Sequence, residues 1–246
     1  MERLQKRIAA SGYCSRRKAE ELIKEGRVKV NNETITELGF KVENKDEIRI
    51  DDIVLEEEVK VYYLLNKPRG VVCTTNDEKG RKTITSLIDT ETRIFPVGRL
   101  DYDTTGLIIL TNDGELSNLL THPSGNIEKT YIAKINGKLL SSELMSLKNG
   151  VVIDNVKTKR AKVKIKSYDK KTDTSIIEIT ITEGRNHQVK KMFECVNHEV
   201  LKLKREKYAF LTLDGLSSKE YRPLTIKEVK TLYNLSKNKW LFTNKV

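Results

Sequence analysis

The chain has 246 residues, 37% hydrophobic and 33% charged, which is long enough for two domains of unequal size and too rich in periodic apolar runs for a disordered protein. Lys plus Arg is 46 against 35 for Asp plus Glu, a formal net charge of +11 and a pI near 9.4, a balance that suits a polyanionic partner, nucleic acid foremost. Cys14, Cys73 and Cys195 are odd in number and far apart, which disfavours a disulfide framework or a zinc site and fits a reducing compartment. No apolar run approaches the roughly eighteen residues of a membrane span, and Arg3, Lys6 and Arg7 precede no apolar block of a secretory signal. A cytoplasmic protein without a membrane partner is expected.

Leu4, Ile8 and Ala9 fall one helical turn apart, and Ser15 offers an N-cap to a second helix with Ala19, Leu22 and Ile23 on one face and Gly26 beyond its end. Val28 and Val30 then alternate with Arg27 and Lys29, Asn31-Asn32 supplies a turn and Ile35 resumes the apolar face, so a hairpin is expected. Arg16, Arg17 and Lys18 occupy the first turn of the second helix, where positive charge opposes the helix dipole; an external phosphate backbone would compensate them, as would plain solvation. The acidic run Asp51, Asp52, Glu56, Glu57 and Glu58 is read as a linker. The residues Ser15-Arg16-Arg17-Lys18-Ala19-Glu20, Leu22-Ile23 and Gly26-Arg27-Val28-Lys29-Val30-Asn31 resemble the S4 RNA-binding domain. That resemblance implies RNA contacts at Arg16, Arg17, Lys18, Arg27 and Lys29.

From Val59 the run Val-Lys-Val-Tyr-Tyr-Leu-Leu-Asn reads as a half-buried strand ended by Lys67-Pro68-Arg69-Gly70, with Val71-Val72-Cys73 as its successor strand. Leu107 to Leu110 reads as a core strand preceded by a Gly-bounded loop bearing Asp101 and Asp103. Lys129 to Ile135 is the next strand, Ser141 opens a helix that closes near Gly150, and alternation resumes at Ala161, Val163 and Ile165 and at Ile177, Ile179 and Ile181. Val189, Met192, Phe193 and Val196 form one face of a helix, and Thr225-x-x-Glu228 is a capping box for a last helix. In the tail from Lys237, docking on the core is the default for Trp240 and Phe242. Strands interleaved with helices indicate an α+β catalytic domain with a largely antiparallel sheet.

Taken as residues, Asp101 and Asp103 both fit ordinary turn chemistry, Tyr131 fits a core aromatic on a strand, and any one Lys on a helix fits a solvated cation. His187 and His198 have no Ser or Cys nucleophile beside them in sequence and are expected to be structural or RNA-facing.

The stretch Gly98-Arg99-Leu100-Asp101-Tyr102-Asp103-Thr104-Thr105-Gly106-Leu107-Ile108-Ile109-Leu110-Thr111-Asn112-Asp113-Gly114, together with Asn66-Lys67-Pro68-Arg69-Gly70, Glu128-Lys129-Thr130-Tyr131-Ile132-Ala133 and Gly184-Arg185-Asn186-His187-Gln188-Val189-Lys190-Lys191-Met192, resembles the pseudouridine synthases of the RsuA/RluB type. The resemblance covers nearly the whole chain. It implies an S4-like domain at 1–60, a synthase domain with a largely antiparallel mixed sheet flanked by helices at 61–235, and a tail at 236–246. It further implies Asp101 as the nucleophile, Asp103 as a supporting residue, Tyr131 stacking on the target base, and Lys190 as the cation paired with Asp101, with Arg185 the rival for that place. Substrate contacts are expected from Lys67, Arg99, Arg185 and Lys191. The implied reaction is isomerisation of a uridine in ribosomal RNA, in the large subunit (23S) by the closer branch or in the small subunit (16S) by the other. It needs no cofactor or metal, and a monomer acting on ribosomal RNA or a pre-ribosomal particle is expected. A non-catalytic RNA-binding assembly factor and an RNA glycosidase are the rivals from other classes.

Overall fold

The computed structural model describes residues 1–243, with side chains as far as Ser236; the side chains of Trp240 and Phe242 lie outside the described residues. Two compact units divide the chain. One comprises Met1–Val61 with Thr90–Ile94 and Asn112–Gly114; the other comprises Tyr62–Asp89, Phe95–Thr111 and the chain from Glu115. The smaller unit thus takes in two short segments that a cut at residue 60 leaves to the larger one.

In the smaller unit the helices Leu4–Ala10 and Arg16–Lys24 pack Leu4, Ile8, Ala19, Leu22 and Ile23 against Val28, Val30, Val42, Ile48 and Ile50 of short strands. Ser15 caps the second helix, its hydroxyl accepting from the Lys18 amide at 3.1 Å. Val28–Val30 pairs antiparallel with Glu33–Thr34 and with Ile48–Ile50, which pairs in turn with Ile53–Val54. Asn31-Asn32 and Asp51-Asp52 make the two hairpin turns, all four residues in the left-handed region that two-residue hairpin turns demand. Asp51 and Asp52 therefore belong to the sheet of this unit and not to a linker: the Arg27 guanidinium clasps Asp51, with Nε at 2.9 Å from Oδ1, and Lys29 Nζ lies 2.8 Å from Asp52.

A nine-stranded sheet organises the larger unit. Its main order is Lys162–Asp169, Thr174–Ile181, Lys129–Asn136, Val200–Tyr208, Thr105–Thr111, Tyr62–Lys67 and Tyr221–Pro223, with Leu211–Thr212 and Phe95–Pro96 added as short partners. All the pairings are antiparallel except that between Val200–Tyr208 and Thr105–Thr111. The parallel junction sets Gly106 against Arg205 so closely that a Cβ at 106 would stand 2.2 Å from the Arg205 carbonyl oxygen. Leu64, Leu107, Ile109, Leu116, Leu120, Ile127, Tyr208 and Leu232 form the core on one side of this junction. Val71-Val72-Cys73 is not a strand; it keeps one bridge, Val72 to Thr83, because no further partner runs alongside it. The last helix, Ile226–Thr243, starts at the expected capping box, with Thr225 N and Glu228 Oε2 at 2.8 Å and Glu228 N and Thr225 Oγ1 at 3.2 Å. It runs past residue 235, since neither Pro nor Gly interrupts 226–243.

Candidate active site

Asp101 sits on the loop that leads into the Thr105–Thr111 strand, and the loop is pinned from several sides. The Thr104 amide donates to the Asp101 carbonyl at 3.1 Å, closing a turn, and the Gly70 amide donates to the Tyr102 carbonyl at 2.9 Å. Leu100 N donates to Cys73 Sγ at 3.4 Å. Beneath the turn lies Lys67, with no exposed surface, whose ammonium donates to the carbonyls of Pro68, Asp101 and Thr104 at 3.1, 3.0 and 2.9 Å. This placement corrects the expectation that Lys67 contacts substrate: it is a buried brace, and burial pulls its pKa below the ordinary lysine value.

The carboxylate of Asp101 faces a cleft of about 380 Å³ lined by residues of both the loop and the sheet, among them Arg99, Lys129, Tyr131, His187, Lys190 and Arg205. Opposite the loop, the helix Gln188–Glu194 buries Val189, Met192 and Phe193, and Lys190, away from that apolar face as the helical spacing predicts, faces the Asp101 loop. Lys190 Nζ lies 3.5 Å from Asp101 Oδ2 and His187 Nε2 lies 3.5 Å from Asp101 Oδ1. The same ammonium makes shorter bonds to Asp103, at 2.7 and 2.9 Å. Lys190 is therefore shared between the two acids, and its hydrogen bond holds the Asp103 carboxyl below the usual carboxylate range. Asp103 keeps the ammonium fixed, and Asp101, 29% exposed at its side chain, is left with oxygens open to the cleft.

Tyr131 lies in the strand Lys129–Asn136 and is 8% exposed, with Arg205 its partner across the sheet. Arg99 is exposed at the rim, beside Asp101. Two other candidate cations are already engaged. Arg185 lines the cleft wall, but its guanidinium donates to the carbonyls of Val156 and Lys157 at 2.9 and 3.0 Å, which removes it as a rival partner for Asp101. Lys191 points elsewhere and pairs with Asp154 at 2.6 Å. Arg16, Arg17 and Lys18 are exposed in the smaller unit, and there Arg27 and Lys29 are the residues tied to Asp51 and Asp52.

His187 is a contact that helical periodicity does not reveal. It occupies the cap position before Gln188 in the left-handed region, φ 53°, and only the three-residue spacing to Lys190 hints that the two share a face. His198 is structural: its ring nitrogens meet the Asn136 carbonyl at 2.7 Å and Glu143 at 3.1 Å. Among the described residues no group of His, Cys, Asp and Glu is arranged to hold a metal ion, and no helix is long and apolar enough to cross a membrane.

Residues 61–195 match the RNA pseudouridylate synthase family and residues 2–48 match the S4 domain. A ribosomal large subunit pseudouridine synthase B from Bacillus subtilis is 54% identical over 96% of this chain and 97% of its own length. The dual-specificity RNA pseudouridine synthase RluF of Escherichia coli is 35% identical over 96% of this chain and 80% of its own. A crystal structure of a pseudouridylate synthase superposes with a TM-score of 0.69 at 34% identity, covering 94% of this chain and 100% of that one. The chain belongs to the RNA pseudouridylate synthase family, with an S4 domain preceding its synthase domain.

Proposed function

We propose that this protein isomerises a uridine of large-subunit (23S) ribosomal RNA to pseudouridine. The observation that carries the assignment of chemistry is the Asp101 carboxylate standing 3.5 Å from the Lys190 ammonium in a cleft with Tyr131. The large-subunit assignment rests on the relative that is 54% identical over nearly the full length of both chains.

The reaction breaks the N1 to C1′ bond, turns the base and rejoins it through C5, without net oxidation or energy input. It needs an ionised carboxylate at the sugar or base, a surface that retains the detached uracil, and an acceptor for the C5 proton. Asp101 supplies the carboxylate, and the ammonium of Lys190, 3.5 Å away, holds its orientation in the cleft. Tyr131 stacks on the base. The target nucleotide leaves its stack to enter the cleft, Arg99 steadies it at the rim, and the basic first turn at Arg16, Arg17 and Lys18 holds flanking phosphates, a sequence-independent contribution to affinity. The protein acts as a monomer in the cytoplasm, where its three free cysteines remain reduced.

Mapping pseudouridines in ribosomal RNA from cells with and without this protein tests the proposal. Loss of a 23S site is expected. Loss of a 16S site alone would overturn the large-subunit assignment, and an unchanged map in both RNAs would overturn the activity. Release of free uracil from purified RNA would identify a glycosidase instead.

A further inference from the structure

Positive charge in the sheet face of the cleft is not used by the pairing around Asp101. Lys129 precedes Tyr131 by two residues on one strand, so both side chains leave the same face, and Arg205 and Tyr208 are the cross-strand partners of Tyr131 and Lys129. All four line the cleft. The Arg205 guanidinium carbon lies 5.1 Å and Lys129 Nζ 5.6 Å from the centroid of the Tyr208 ring, and Tyr208 is itself fixed by donating its hydroxyl proton to the Leu120 carbonyl at 2.9 Å. Two cations therefore share one aromatic ring.

Neither cation has an ion-pair partner among the described residues. Arg205 is 2% exposed; its Nε donates to the Leu107 carbonyl at 2.7 Å, while its Nη2 is buried with no acceptor. Lys129 Nζ reaches only the Ile127 carbonyl, at 3.3 Å. The acid that acts on Lys129, Glu183, has its oxygens taken by the Lys159 amide at 3.0 Å and by Gln188 Nε2 at 2.6 Å, with Arg185 at 3.4 Å. Burial, with the neighbouring charges of Arg205 and Lys159 adding to it and Glu183 opposing, brings the Lys129 pKa down to about 8. A buried guanidinium with a spare donor beside a second cation is costly to maintain, and an electron-rich ligand atom between them would offset that cost.

We propose that Lys129 and Arg205 form a subsite that accepts a carbonyl oxygen of the flipped uracil ring and stabilises the negative charge which that ring gains during the reaction. The inference rests on the pseudouridine synthase reading of the same cleft. When the N1 to C1′ bond breaks, its electron pair stays with the base and spreads over N1 and the two carbonyl oxygens, while the Asp101 carboxylate compensates the sugar carbon. The pair is returned as the C5 to C1′ bond forms; C5 then gives up its proton and N1 takes one, so the product is an isomer. Donors placed where charge develops act on the rate more than on binding. A backbone phosphate oxygen offers the same acceptor chemistry and would act on binding instead.

The test uses the full-length Lys129→Met and Arg205→Lys variants with an unmodified 23S RNA transcript, measuring single-turnover pseudouridine formation and RNA affinity across a salt series. Circular dichroism and a thermal melt select the variants that fold; Arg205→Lys keeps the charge and removes the spare donor, and either folded variant decides the question. The expected result is a fall in rate of about 10²-fold with RNA affinity and its salt dependence within about twofold of the parent protein. A weaker affinity at unchanged rate with saturating RNA, with the slope of log K against log salt lowered by about one in Lys129→Met and unchanged in the charge-conserving Arg205→Lys, would place a phosphate there and overturn the proposal. Unchanged rate and affinity would overturn it too. Failure of the parent protein to form pseudouridine would instead count against the function proposed for the whole cleft.

Discussion

Replacing Lys67 by Met separates a brace from a substrate contact. The substitution removes three charge-assisted bonds, to the carbonyls of Pro68, Asp101 and Thr104, each worth about 1.5–3 kcal/mol net. Against this stands the several kcal/mol needed to bury an ammonium, so the net loss of stability is about 2–4 kcal/mol. In a unit of this size that lowers the thermal midpoint by about 4–16 °C. The local effect is larger in function than in stability, because two of the three carbonyls belong to the turn that carries the Asp101 carboxylate. A displacement of that carboxylate by about 1 Å costs about 10²-fold in rate. The assay is single-turnover pseudouridine formation at saturating RNA, beside a binding titration at several salt concentrations and a thermal melt. The variant is expected to melt earlier, to react about 10²-fold more slowly and to bind RNA as the parent does. A variant that reacts at the parent rate but binds with a lower salt slope would show that Lys67 faces phosphate, and would refute its role beneath the loop.

Gly106→Ala forces a side chain into a backbone at φ 107° and brings its Cβ within 2.2 Å of the Arg205 carbonyl oxygen; a loss of about 3 kcal/mol and a midpoint about 6–12 °C lower are expected, and a melt equal to the parent's would contradict the close packing of the two parallel strands. Asp103→Asn preserves an oxygen for Lys190 and leaves the ammonium free to move the short distance to Asp101, so activity is expected to fall less than about tenfold, far less than for Asp101→Asn; equal losses in the two variants would exchange their roles. The rate of the parent protein is expected to fall as pH rises through about 8, the value to which burial brings Lys129, because the neutral amine donates to a charged oxygen less strongly; in Lys129→Arg this alkaline limb moves upward, and an identical pH profile in the two proteins would discount Lys129. The same depressed pKa has a stability consequence of opposite direction. Between about 8 and the ordinary lysine value the unfolded chain binds the proton that the folded one lacks, so this group favours folding as pH rises through that window, which a melt in Lys129→Met, lacking the effect, would reveal.

Local pattern was sufficient wherever a residue's role follows from its own element. The alternation in Lys129–Asn136 and Thr174–Ile181 puts Tyr131, Ile177 and Ile179 on the covered face, and the spacing of Val189, Met192 and Phe193 leaves Lys190 free to turn toward the cleft. Positions governed by chain from far away were not legible in this way. Lys67 looks like a solvent-facing cation before a Pro-Arg-Gly turn, and it is buried because a loop thirty-four residues later closes over it. Arg205 looks like one of several alternating charges in Leu-Lys-Leu-Lys-Arg-Glu-Lys, yet its strand lies in the middle of the sheet and its buried side chain forms part of the cleft wall. Helical spacing does not reach His187, whose backbone is left-handed, and the three residues Val71-Val72-Cys73 look like a strand although nothing local shows whether a partner strand runs beside them. Asp51 and Asp52 resemble a linker by charge alone; their hairpin geometry and basic partners place them in a sheet.

Substituting Asn at position 101 and following tritium release from C5-labelled uridine in 23S RNA bears most directly on the proposed chemistry. The Asn variant keeps the shape of the loop and the hydrogen-bonding oxygen while losing the charge, so it is expected to bind RNA with the parent's affinity and to release no tritium above background. Tritium release at the parent rate would show that another group performs the isomerisation.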